Sequence, residues 1–146
     1  TIVNEEGDTD RQTLTYSLLT SPTGANISSD AGVFAWRPTV AQADTTNVVT
    51  VRVADNGSPS LTDTISFLVT VPPVAAPEVS SIAIVNGQFT LQITGDVGPD
   101  YHLEASTNLV NWSTVFSTNA PGLPFNWTDP ENAHTALRFY RVRLAP

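Results

Sequence analysis

"SIAIVNGQFTLQI", residues 81–93, sets two alternating apolar runs on either side of Asn86-Gly87. Asn and Gly are the residues that most readily take φ > 0, and a two-residue type I′ turn needs that at both central positions. Such a turn also sets the register, opposing Ile84 to Phe89 and Ile82 to Leu91. All four side chains then share one face, so turn chemistry and hydrophobic pattern specify the same β-hairpin.

The same period of two recurs outward from this hairpin. Toward the C-terminus, "YHLEAS" alternates Tyr101, Leu103 and Ala105, and "NWSTVFS" alternates Trp112, Thr114 and Phe116. "FNWTD" carries Phe125 and Trp127, and "RFYRVRL" carries Tyr140, Val142 and Leu144. Toward the N-terminus, "VPPVAAPEV" holds Pro72, Pro73 and Pro77, the composition of a stiff, extended spacer. Before it, "TISFLVTV" puts Ile65, Phe67, Val69 and Val71 on one face, and "NVVTVRV" does the same with Val49, Val51 and Val53. "GVFAW" and "LTYSLL" complete that half, with Pro38 ending the former. The expected fold is all-β, as two tandem small β-sandwiches: residues 1–71, a proline-rich linker at 72–78, and a second module at 79–146.

Composition narrows the function. Six Arg and no Lys stand against fourteen acidic residues, and a net charge of −8 repels phosphate backbones and anionic membrane surfaces. Nucleic acid is not an expected partner. The absence of Cys and the presence of only His102 and His134 leave no usual zinc ligand set. No apolar run approaches the roughly 18–20 residues that cross a bilayer as a helix, so membrane insertion is not expected. Low charge with abundant Thr, Ser and Asn suits a secreted or cell-surface protein, with any export signal carried elsewhere in a longer chain.

Two resemblances follow from these residues. "LTYSLLTSPTGANISSDAGVFAWRPT" with "VVTVRVADNGSPSLTDTISFLVTV" resembles the cadherin-like, immunoglobulin-type repeats of bacterial surface and secreted proteins, through Tyr16, Phe34-x-Trp36-x-Pro38 and Asp55-x-Gly57-x-Pro59. The second half is similar to the C-terminal sandwich modules of exported bacterial proteins and, in its Tyr…Trp…Tyr-x-Val order, to fibronectin type III. The first resemblance implies Ca²⁺ at Asp8, Asp10 and Asp55, and clustered carboxylates are the oxygen ligands that a hard cation takes. The alternative for Asp55 is an Asx-turn to its own backbone, with Asp8 and Asp10 as solvated loop charges. Repeats of this kind open with a further strand, for which the seven residues before Asp8 leave little room. The expectation is an open sheet edge, available to a strand from another chain or to polymerisation by strand exchange.

Trp112 and Trp127, flanked by Asn and Thr, are candidates for a sugar-stacking platform, whereas Trp36 and Tyr140 read as buried. His102 with Glu104 is the nearest approach to a catalytic pair, and no strained nucleophile turn accompanies it. Arg138, Arg141 and Arg143 read as cross-strand partners of carboxylates. The expected function is therefore non-catalytic: a structural, adhesion or assembly module of an extracellular protein, whose partners are other protein chains or neighbouring domains. The alternative is a carbohydrate-binding appendage of an exported enzyme, with polysaccharide as its partner.

Overall fold

The computed structural model describes residues 12–131 and 137–145. Among these the chain is all-β, with a single 3₁₀ turn at Val40–Gln42 and no helix long and apolar enough to cross a membrane. It divides into two compact units, one from residues 12–38 and 44–71, the other from 39–43 and 72–145.

The first unit is built on β4 (Thr45–Ala54) and β5 (Thr62–Val71), ten residues each, paired antiparallel from Thr45 opposite Val71 to Ala54 opposite Thr62. β1 (Thr15–Thr20) pairs with the other side of β4, Tyr16 facing Val53 and Leu18 facing Val51, giving the sheet order β1-β4-β5. The period of two gathers Tyr16, Leu18, Val49, Val51, Val53, Ile65, Phe67 and Val69 on one face. On the opposite face, hydroxyl pairs Thr46–Thr70 and Thr50–Ser66 bridge β4 and β5.

The short hairpin of β2 (Asn26–Ile27) and β3 (Phe34–Ala35) covers part of the apolar face. Phe34 meets Phe67 edge-on at 5.8 Å, and the Tyr16 N–H donates to the Ser29 carbonyl at 2.8 Å. Gly32, at φ +66°, lies so close to the Tyr16 ring that a Cβ there would be 3.0 Å from it. The cover is incomplete. Val49 is fully buried, but Ile65, on the same face, is 65% exposed. Trp36 is half-buried just beyond β3, its indole N–H donating to the Thr23 carbonyl.

The second unit has two three-stranded sheets. β7 (Gln88–Thr94) lies between β6 (Glu78–Val85) and β10 (Phe125–Thr128), and β8 (Asp100–Ser106) lies between β9 (Ser113–Thr118) and β11 (Phe139–Ala145). Leu91, Ile93, Tyr101, Leu103 and Trp127 form the buried core, drawn from both sheets as in a sandwich. Each such side chain contributes about 1.5–3 kcal/mol by leaving water. Tyr101 stacks edge-on against Phe125, and Trp127 against Tyr140.

The Asn86-Gly87 turn has the expected geometry, φ +52° and +79°, and opposes Ile84 to Phe89 and Ile82 to Leu91. Only Leu91 of the four is buried; β10 reaches along β7 only as far as Thr90, and Ile82 and Ile84 nearer the tip are 64% and 68% exposed. The expected alternation of Trp112, Thr114 and Phe116 is broken by a register shift: Phe116 faces Leu103 while Thr114 faces Glu104. This bulge turns both Val115 and Phe116 to the core and leaves Thr114 exposed. Within the proline-rich stretch, the Ala75 N–H donates to the Asp96 carboxylate at 2.6 Å.

Candidate functional site

Asp55 follows β4 directly and shapes the loop leading to β5. Its Oδ1 accepts the Gly57 N–H at 3.0 Å and the Leu61 N–H at 2.8 Å, while its own N–H donates to the Leu61 carbonyl. The Ser60 hydroxyl donates to the Asp55 carbonyl, so one residue closes the loop at both ends. The side-chain amide oxygen of Asn56 accepts the Thr13 N–H, tying the approach to β1 to the same loop.

The turn explains only half of the carboxylate. Asp55 is 7% exposed, and its Oδ2 is buried with no hydrogen-bond partner among the described residues. An unsatisfied buried carboxylate oxygen is costly, and native structures hold few of them. Asp8 and Asp10 lie outside the described residues, and among the described ones no group of three acidic, His or Cys side chains could hold a metal ion.

Asp55 also lines a cleft of about 270 Å³ with Leu14, Val53, Leu61, Thr62 and Asp63. A second cleft of about 100 Å³ shares Val53 and Asp63 and continues to Tyr16 and Ile65. Both are lined in part by β5, which ends the sheet order and has no further strand along its outer side among the described residues. Asp63 lies on the apolar face, opposite Val53, and its Oδ1 accepts the Thr64 N–H at 2.7 Å. Sequence reasoning passed over Asp63 and Ile65 as a pair. The signal was present in "TDTISFLVTV", where a charge holds an apolar-face position at the start of an edge strand.

The two tryptophans do not form a platform. Trp127, expected at the surface, is 8% exposed, because its place opposite Leu91 puts it on the core face of β10. Trp112 is half-buried, and the Arg141 guanidinium covers its ring at 4.2 Å from the centroid. Its indole N–H donates to the Leu109 carbonyl. One ring is thus inside, and the other has a face occupied by a cation.

Arg141 and Arg143 pair across strands as expected, whereas Arg138, just before β11, pairs with carboxylates of the segment after β10. Arg141 sits directly opposite Glu104 and bonds to it through Nε, with Arg143 3.8 Å from the other carboxylate oxygen. Glu104, two residues from His102, is therefore taken by two guanidinium groups. Arg138 lies 3.3 Å from both Asp129 and Glu131. Asp129 is fully buried; its Oδ2 accepts the Tyr140 hydroxyl and its Oδ1 the Glu131 N–H. Tyr140 is half-buried rather than buried, and desolvation together with its bond to Asp129 pushes its pKa up to about 12. Burial, followed by the charge of Asp96, raises that of Tyr101.

No protein-family model, curated protein or solved structure matches this chain. The fold and the Asp55–β5 region therefore carry the functional reading unaided.

Proposed function

We propose that the chain is a non-catalytic structural, adhesion or assembly module of a secreted or cell-surface protein, and that it engages other protein chains by adding a strand to β5. The observation that carries this reading is the ten-residue outer edge of β5, along which no strand pairs among the described residues, beside an apolar face on which Ile65 stays 65% exposed. An unpaired edge offers alternating N–H and C=O groups to an incoming strand, and the uncovered face offers sites for its alternate side chains. The charge of −8 supports a protein partner over nucleic acid or an anionic membrane.

Amide hydrogen exchange tests the reading. The amides of β5 are expected to exchange faster than those of β4 in the isolated protein, and to slow when an extended peptide of alternating Val and Thr is added. Exchange in β5 as slow as in β4 without peptide, or unchanged by saturating peptide, would show that the edge is not a docking site.

A further inference from the structure

We propose that the strand received by β5 is a basic segment of a different protein, with one Lys or Arg side chain lying in the larger cleft against the Asp55 carboxylate; this inference rests on the docking edge proposed above. The cleft has the composition of a binding slot for such a side chain. Its walls are Leu14, Val53 and Leu61, and its charged members are Asp55 and Asp63. Apolar walls with a carboxylate at hand suit a long aliphatic stem that ends in a cation.

The Oδ2 of Asp55, buried and without a hydrogen-bond partner among the described residues, is the second observation. Oδ1 is committed to the loop, whereas Oδ2 accepts no hydrogen bond among the described residues. A cation in the cleft stabilises the carboxylate at ion-pair range, with less screening than at an open surface. Geometry selects the longer side chains. A strand paired to β5 lies two strand spacings, about 10 Å, from the line of β4 on which Asp55 sits. Lys and Arg stems extend furthest across that gap.

Charge also argues against a second copy of this chain as the occupant. Each copy carries −8, and Asp63 puts an inward-facing charge on the edge strand itself. An inward-facing charge on an edge strand is a device that discourages self-pairing.

The probes are synthetic peptides of about ten residues, the length of β5, alternating Val and Thr, with one Lys walked through the positions and a norleucine counterpart for each. Affinity is read by fluorescence anisotropy, and docking by exchange of the β5 amides. One Lys register is expected to bind about 30-fold or more tighter than its norleucine counterpart, as for a charge pair removed from water. That advantage shrinks with salt and is lost in Asp55→Asn, which keeps an oxygen for the loop. Equal binding of Lys and norleucine peptides on the wild-type protein overturns the cationic slot and leaves the docking edge standing. No protection of β5 by any peptide removes the edge and the slot together. Sedimentation as a dimer that excludes peptide would make the occupant a second copy. A Ca²⁺-dependent rise in Tm, abolished by Asp55→Asn and accompanied by loss of Lys-peptide binding, would make it a metal ion.

Discussion

Replacing Asp55 separates its role in the loop from its charge. Asp55→Ala removes the acceptor of two backbone N–H groups, at 3.0 and 2.8 Å. Hydrogen bonds to a charged group contribute about 1.5–3 kcal/mol each, a gross loss of about 3–6 kcal/mol. Two effects reduce it. The substitution also eliminates the unsatisfied Oδ2, which recovers about 1–3 kcal/mol. Leu61 is 59% exposed, so water can replace part of what its N–H loses. The expected net destabilisation of the first unit is about 2 kcal/mol. Asp55→Asn keeps Oδ1 and removes the charge, and is expected to cost about 1 kcal/mol or less. Native-state hydrogen exchange at Val49 measures this, because its complete burial makes its exchange report the opening of the whole unit. An Asp55→Ala loss under about 0.5 kcal/mol would show that Asp55 does not hold the loop. Losses of about 2 kcal/mol in both variants would show that the negative charge stabilises the isolated protein, contrary to its being uncompensated there.

Three further outcomes follow from the second unit. Leu91→Ala is expected to cost about 2–5 kcal/mol in chemical unfolding, and Ile84→Ala, on the same hairpin face but 68% exposed, under about 1 kcal/mol; similar losses would mean that the hairpin tip is covered in solution. Tyr140 favours the neutral phenol in the folded chain, so its stabilisation is whole below pH 10 and is lost as pH rises through about 12. The Tm advantage of the wild type over Tyr140→Phe should shrink across that window, and an advantage constant from pH 9 to 12 contradicts the assignment. With Trp127 in the core and Arg141 over Trp112, the protein should pass through insoluble polysaccharide unretarded. Retention abolished by Trp112→Ala would restore the carbohydrate reading.

The all-β class, the Asn86-Gly87 hairpin register and the cross-strand pairing of Arg141 and Arg143 with a carboxylate were legible from residue order alone. Each depends on interactions that local chemistry specifies: φ > 0 at two adjacent turn residues, a period of two along a strand, and opposite charges on facing positions. The bulge in β9 was not legible, because an extra residue in a ladder is fixed by how its partner strand packs.

Function depended on what periodicity cannot convey. Alternation identifies which side chains share a face, but whether that face is buried depends on a sheet formed by distant residues. Hence Trp127 went inside, while Ile65, Ile82 and Ile84 remained exposed with equally apolar patterns. The Asx-turn at Asp55 was one of two readings that the sequence allowed, since Asp-Asn-Gly is local chemistry. Only tertiary structure decided that, among the described residues, β5 ends its sheet and Asp55 keeps one buried oxygen without a partner. The physical reason is that edges and unsatisfied groups are defined by what fails to pack against them, and that is settled by the whole fold.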